Sequence, residues 1–157
     1  MPLVRQLDRL EAEIACTDRT IMTLAKADPV ARRLTSIPGI GPVTASAIAA
    51  SVQDISGFSG PREFAAWLGL TPRQNSSGGK ERLGRVSKMG NRYSRKLLVV
   101  GAHAVLYHRK AHSDALRLWA CKLMQTKPFK LVAVALAVPF VRVLPYAILL
   151  SNASACM

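Results

Sequence analysis

Ser77 is the side chain in this sequence best placed to act as a nucleophile. It lies in residues 69–95, GLTPRQNSSGGKERLGRVSKMGNRYSR, where two glycines follow it directly. Glycine lets a backbone approach a ligand closely, and nearby cations stabilise negative charge that develops on a phosphate. The surrounding basic residues are Lys80, Arg82, Arg85 and Arg92. No base for the hydroxyl is evident, so a flexible surface loop stays open as the alternative.

The other polar residues argue against several common sites. SSGGK is not a P-loop, because Lys80 is followed by Glu81 instead of Ser or Thr. His108 and His112 are separated by basic residues and have no third ligand nearby. The nine acidic residues are scattered, whereas a two-metal site needs them clustered. We therefore predict no metal and no cofactor on this chain.

The three cysteines are widely spaced and odd in number, which supports neither a disulfide framework nor a zinc finger. The N-terminus lacks the basic and then apolar pattern of a signal peptide. These two features predict a reducing, cytoplasmic location.

The charge balance predicts a polyanionic partner. The chain has 22 Lys and Arg residues against 9 Asp and Glu residues, a formal net charge of +13. Residues 73–110 hold ten of these cations and one acid, Glu81. Neutralised phosphates release condensed counterions, so nucleic acid is the leading candidate. A solvated basic face is the alternative.

An N-terminal helical arm is predicted from apolar spacing. From Leu3 to Leu24 the stripe advances in steps of four and three residues, a heptad seam over three repeats. Asp28-Pro29 ends it, because the residue before proline disfavours the helical region. Three heptads are marginal alone, so the arm packs on a partner chain or on the rest of the fold. We predict a homo-oligomer formed through residues 3–24.

The string SIPGIGPVTASAI is similar to a helix-hairpin-helix motif. Its turn contains Gly39, Ile40 and Gly41, and Pro42 or Val43 opens the second helix. In such a hairpin, backbone N–H groups and the helix N-terminus approach a DNA phosphate. A glycine turn that only packs two helices together is the alternative.

Local signals predict further helices and no clear strands. Ser59 is expected to cap a helix that Gly69 closes, and Asn91 is expected to cap a helix from Arg92 to about His108. The fold class is mainly α: a heptad arm, then a compact helical domain with a helix-hairpin-helix and a long basic loop.

Residues 131–150 approach a membrane span in length and apolarity. Arg142 in the middle opposes insertion, and Pro139 and Pro145 are expected to interrupt the helix. A buried or oligomer-facing helix is therefore favoured, and no membrane partner is predicted.

Three ordered strings, SIPGIGPVTA, GLTPRQNSSGG and GRVSKMGNRYSRKLL, carry a family resemblance. Over about residues 30–125 the chain resembles the C-terminal half of Piv-type insertion-sequence transposases, also called DEDD or bridge-RNA-guided transposases. The resemblance implies a helical domain whose serine, after GLTP, attacks DNA and becomes covalently linked to it. Ser77 matches that nucleophile, with Ser76 as the alternative position. DNA, a guide RNA and a dimer-forming arm are the implied partners.

The resemblance also implies a division of the chain and a DNA-binding surface. The predicted divisions are an arm at 1–28, a DNA-binding and serine-bearing domain at 29–126, and a divergent apolar tail at 127–157. The predicted DNA-binding residues are Gly39, Ile40, Gly41, Arg73, Ser76, Gly78, Gly79, Lys80, Arg82, Arg85, Lys88, Asn91, Arg92 and Arg95.

Two departures from the family pattern bear on activity. Nothing in these residues resembles the family's RuvC-like, Mg²⁺-binding domain, and the apolar end VPFVRVLPYAILLSNASACM replaces a polar helical stretch. The expected function is a DNA-binding transposase fragment that depends on that domain for serine chemistry. The alternatives are a non-catalytic helix-hairpin-helix module and, from residues 131–150 alone, a membrane-associated basic protein.

Overall fold

The protein is mainly helical, as predicted. This computed structural model describes residues 2–52, 54–75, 79, 82–108 and 114–154, and over them it has seven helices and one short β-hairpin. The elements in chain order are α1 Pro2–Ala27, α2 Pro29–Leu34, α3 Pro42–Ser51, α4 Pro61–Trp67, β1 Pro72–Gln74, β2 Leu83–Val86, α5 Arg92–Tyr107, α6 Ala115–Met124 and α7 Phe129–Ser154.

The arm is a single helix, α1, that ends where the sequence predicted. Asp28 separates it from α2 and caps that helix, since its carboxylate accepts the Val30 N–H at 2.8 Å. Only the C-terminal end of α1 is covered: Ala25 is buried, and the helix packs there against α2 and α3. Leu7 and Ile14 on the apolar stripe are 59% and 60% exposed. Most of the stripe therefore lies free of the described part of this chain.

Helix α7 is the centre of the hydrophobic core. It packs against α2, α4, α5 and α6. Its fully or almost fully buried positions follow a helical stripe, and they are Val132, Ala133, Leu136, Ala137, Phe140, Val141, Leu144 and Ile148. The apolar residues 131–150 thus form most of the central helix of the fold.

The prediction that Pro139 and Pro145 interrupt this segment is wrong. Both prolines lie inside the continuous helix α7. A proline removes one backbone hydrogen bond, but burial against several neighbouring helices holds the segment helical. Arg142 lies on the exposed side, away from the core.

Phe129–Leu150 is also long and apolar enough to cross a membrane, with a mean hydropathy of 2.1. However, 56% of that apolar window is buried inside the protein. A core helix can have the same length and composition, so these two properties are weak evidence for a membrane span.

The basic segment is not a simple loop, contrary to expectation. Strands β1 and β2 pair antiparallel, with Pro72 opposite Val86 and Gln74 opposite Leu83. Strands of three and four residues are too short to show a clear alternating pattern. Their pairing depends on contacts between residues distant in sequence, which local propensity does not report.

The start of α4 differs from prediction in its cap. Gly60 occupies the N-cap position, and Ser59 lies one residue earlier. The Ser59 N–H and hydroxyl both donate to the Glu63 carboxylate at 2.7 Å. These two hydrogen bonds lower the pKa of Glu63, with the hydroxyl contact the larger cause.

This pKa predicts a loss of stability in acid. A carboxyl whose pKa is lower in the folded chain contributes stability above its unfolded pKa, and the contribution disappears as pH falls through the folded value. We expect the free energy of unfolding to decrease as the pH is lowered below about 4.5, the ordinary glutamate pKa. The Glu63→Gln variant should lack the part of this decrease that comes from Glu63. Urea titrations at several pH values measure it, with Glu11→Gln on the arm as control. Identical pH profiles for wild type and Glu63→Gln would contradict the assignment.

Candidate nucleic-acid interface

The two strands of the β-hairpin flank the predicted nucleophile in the sequence. The Asn75 N–H donates to the Arg82 carbonyl at 2.9 Å, so the residues on either side of 76–81 are paired. Ser76, Ser77, Gly78 and Lys80 lie outside the described residues. Gly79 is described: it has φ 76°, it is exposed, and no atom of the described residues lies within 4 Å of the position that a Cβ would take.

The base of the hairpin is fixed to the end of α4 by a close backbone contact. Gly69 and Gly90 both have positive φ, 68° and 84°. A Cβ on Gly90 would lie 1.7 Å from the Trp67 carbonyl oxygen, so only glycine fits there. The Lys88 N–H also donates to the Gly69 carbonyl at 3.2 Å. This contact sets where the hairpin stands relative to the helices.

Arg95 holds the same junction. One terminal nitrogen, Nη1, donates to the Leu68 carbonyl at 2.9 Å and to the Met89 carbonyl at 3.0 Å. The side chain is half-buried. Arg95 was predicted to bind DNA, but its guanidinium is engaged with the protein, and we assign it to positioning the hairpin.

This assignment predicts a stability effect at Arg95 that its neighbour lacks. Arg95→Gln should lower the free energy of unfolding by about 2 kcal/mol, because two carbonyls lose a charged donor. Arg92→Gln, which changes the same charge at an exposed position of the same helix, should stay within about 0.5 kcal/mol of wild type. Urea unfolding compares the two. Equal stability of the two variants would contradict the positioning role.

Asn91 caps α5, as predicted. Its Oδ1 accepts the N–H groups of Tyr93 at 3.0 Å and Ser94 at 3.1 Å, and its Nδ2 donates to the Ser51 hydroxyl at 3.4 Å. The side chain thus starts α5 and ties it to the end of α3. A contact of Asn91 with DNA stays a prediction.

The glycine turn before α3 packs against α5. Gly39 has φ 85°, and a Cβ on Gly101 would lie 1.9 Å from the Gly39 carbonyl oxygen. Ile40 is 4% exposed. Gly41, the N-cap of α3, is exposed. Gly39 and Ile40 therefore have a packing role, whereas Gly41 is exposed and its carbonyl accepts the Ala45 N–H at 2.9 Å in the first turn of α3.

Five exposed cations surround a cleft between the hairpin and helices α5 and α7. Two adjoining cavities of about 660 and 780 Å³ share Leu70, Val86, Lys88 and Val134 as lining residues. The exposed cations that line the cavities and have no carboxylate partner among the described residues are Arg85, Lys88, Arg92, Lys96 and Lys130, and the half-buried Arg95 also lines one cavity.

Sequence reasoning missed Lys130 and left Lys96 out of the site. Lys130 is far along the chain, and the packing of α7 brings it to the hairpin. Lys96 follows the predicted Arg92 by one helical turn, and this spacing was the available signal.

Arg73 and Arg82 extend the basic surface along the hairpin. Both are exposed, and the Arg73 guanidinium donates to the Ser87 carbonyl across the hairpin at a long 3.4 Å. The structure therefore brings five of the predicted basic residues together, Arg73, Arg82, Arg85, Lys88 and Arg92, with Arg95 beneath them.

The described residues do not fit a metal centre. No group of three or more His, Cys, Asp or Glu side chains lies close enough to hold an ion in the described part of the chain. We therefore derive no metal-dependent step from these residues.

Comparison with known proteins identifies the family. The model of the transposase IS116/IS110/IS902 family matches residues 31–117, more than half of the chain. The chain belongs to this transposase family. The matched region contains the hairpin and four of the five cations of the cleft, and Lys130 lies beyond it.

Individual relatives agree with the family match. The chain is 47% identical over 139 residues to a probable family 20 transposase of Pseudomonas aeruginosa, covering 88% of this chain and 41% of the relative. It is 43% identical over 131 residues to the transposase for insertion sequence element IS1111A of Coxiella burnetii, covering 83% of this chain and 36% of that protein. The chain thus spans well under half the length of these relatives.

Proposed function

We propose that this chain is the DNA-binding, serine-bearing part of an insertion-sequence transposase. The observation that carries the proposal is the group of five exposed cations that line the cleft, Arg85, Lys88, Arg92, Lys96 and Lys130, which have no carboxylate partner among the described residues. The family match supports it, because the relatives are named as transposases. DNA is the substrate of such a reaction.

The cations suit a phosphate backbone better than a compact anion. They are distributed along the hairpin, the first turns of α5 and the start of α7. A surface of this kind contacts several phosphates and binds with strong salt dependence. A guide RNA, the second polyanion implied by the resemblance, would use the same chemistry.

Ser77 is the proposed nucleophile. Its hydroxyl oxygen forms a bond to phosphorus, and the bond from phosphorus to one sugar oxygen breaks. The released sugar hydroxyl gains a proton equivalent to the one that the serine loses. Arg82 and Arg85 follow Ser77 closely in the chain and are exposed. Their positive charge would stabilise the negative charge that develops on the phosphate in the transition state.

A covalent adduct tests the nucleophile. In a chimera, this chain follows the N-terminal part of the Pseudomonas aeruginosa relative, where the resemblance places the Mg²⁺-binding domain. With a suicide DNA substrate, we expect a protein–DNA adduct on a denaturing gel. Ser77→Ala should abolish it, whereas the matched control Ser76→Ala should retain it. An adduct that survives Ser77→Ala, or is lost only in Ser76→Ala, would refute the assignment.

The same experiment distinguishes the catalytic function from a second candidate function, DNA binding without catalysis. If the unmodified chimera binds DNA and forms no adduct, the chain is a non-catalytic DNA-binding module. The exposed N-cap Gly41 of α3 favours this candidate, since the N-terminus of a helix attracts a phosphate. A cytoplasmic location and self-association through residues 3–24 belong to either version of the proposal.

A further inference from the structure

The floor of the cleft is aliphatic, although its rim is cationic. The side chains that form this floor include Val86, Val99, Leu131, Val134 and Val138. Leu131 is 51% exposed, and the four valines are half-buried. A phosphate group alone would leave these side chains in contact with water. The ligand that suits the cleft therefore has an apolar part as well as negative charge.

The cations extend through both cavities of the cleft. Arg92 and Lys96 line one cavity, and Arg85 and Lys130 line the other. Lys88 lines both, so a strand that runs through the cleft can place successive phosphates on cations. In duplex DNA the faces of the bases are stacked on one another, whereas an unpaired strand can turn these faces to apolar and aromatic side chains. An unpaired strand therefore suits both the charge and the apolar character of the cleft.

An exposed aromatic ring lies beside the cleft. Tyr93 is 56% exposed, and no aromatic ring of the described residues packs against it. In an ideal helix its side chain lies about 60° around the axis from that of Lys96 and about 100° from that of Arg92. These two cations line one cavity, so the ring lies next to that end of the cleft. Surfaces that bind single strands combine a basic groove with aromatic rings on which bases stack.

We propose that the cleft binds an unpaired DNA strand, with phosphates on the five cations, bases on the aliphatic floor and one base stacked on Tyr93. This inference rests on the proposed function, because it names the form of DNA that the surface takes. Duplex DNA also reaches the cations through its phosphates, but it leaves the floor and the ring without a partner. The cleft adjoins the hairpin whose strands flank Ser77 in the sequence, so it would hold a strand that has separated from its complement.

Substitutions that leave the charge unchanged test the stacked base. Fluorescence anisotropy of the full chain gives its dissociation constants for a labelled thymidine oligomer and for a labelled duplex. Tyr93→Leu should weaken binding of the oligomer at least about fivefold, the lower end of what stacking of one base contributes, and leave duplex binding nearly unchanged. Tyr93→Phe keeps the ring and should bind both probes like wild type. Tyr107→Leu, which alters the exposed tyrosine at the other end of α5, is the control and should also bind like wild type.

A second pair of variants tests the floor. Leu131→Gln should weaken binding of the oligomer about threefold, because a half-exposed leucine loses its apolar contact with a base. Leu118→Gln alters a similarly exposed leucine of α6 that does not line the cleft, and it should leave the affinity unchanged. All the altered residues are exposed, and circular dichroism checks that each variant is folded.

The outcomes separate this inference from the proposed function. An oligomer affinity that is unchanged in Tyr93→Leu or in Leu131→Gln, or an equal loss for oligomer and duplex, overturns the unpaired strand and leaves DNA binding standing. Tighter binding of a uridine oligomer of the same length would assign the cleft to RNA and also overturn the inference. If the wild-type chain binds none of the probes, the proposed function fails as well.

Discussion

Gly101→Ala should destabilise the protein by about 3 kcal/mol. In an exposed helix the same change is stabilising by roughly 1 kcal/mol, because alanine has the higher helix propensity. Here the added Cβ would lie 1.9 Å from the Gly39 carbonyl oxygen, which belongs to the backbone and cannot rotate away. The turn before α3 and helix α5 would have to separate.

Urea unfolding measures this effect, and Gly57→Ala serves as its control. Gly57 is exposed, and its added Cβ would be 4.0 Å from the nearest atom, an ordinary contact. We expect that variant to stay within about 0.5 kcal/mol of wild type. If Gly101→Ala proved as stable as wild type, the close contact between the glycine turn and α5 would be absent from the folded protein.

Removing four cations from the hairpin and α5 should reduce both DNA affinity and its salt dependence. The variant replaces Arg85, Lys88, Arg92 and Lys96 with Gln. Each phosphate contact contributes about −0.9 to the slope of log K against log salt, so the slope should become shallower by about 3.6. Between 50 and 200 mM salt, the wild-type affinity should therefore fall about 150-fold more than that of the variant.

The arm supplies a control with the same change in net charge. Replacing Arg5, Arg9, Arg19 and Lys26 with Gln also removes four positive charges, all from the helix α1. That variant should keep a slope within about one unit of wild type, since its cations lie away from the cleft. Fluorescence anisotropy of a labelled duplex across a salt series measures both variants. If the two variants lost the same amount of DNA affinity and of salt slope, binding would depend on the net charge of the chain and not on this surface.

Local chemistry predicted the beginnings and ends of several elements. Asn91 caps α5, Pro42 begins α3 and Gly69 closes α4, because each residue restricts or satisfies the backbone next to it. At Gly69 the Leu70 N–H donates to the Ala65 carbonyl and the Gly69 N–H to the Ala66 carbonyl, the hydrogen bonds expected where a glycine ends a helix. The apolar stripe of the arm also needed only the sequence, since α1 is continuous through it.

What sequence reasoning missed concerns contacts between distant residues. Pro139 and Pro145 would weaken an isolated helix, yet α7 is continuous because other helices surround it. The hairpin was missed because its short strands gain stability from each other. The contact of Arg95 with DNA stays a prediction, and its role at the hairpin junction could not be read locally, because the carbonyls that it binds come from a segment 27 residues earlier and from a loop six residues before it.

By itself, the sequence determined a basic, mainly helical chain with an amphipathic arm, and its motifs indicated the transposase family. These properties depend on composition and on spacings within a few residues. Only the tertiary structure decided that the apolar C-terminal segment is the central core helix, that the glycine turn packs on α5, and that Lys130 joins the cations of the hairpin. Each of these contacts joins residues whose local sequences carry no information about each other, so the packing of the whole chain had to specify them.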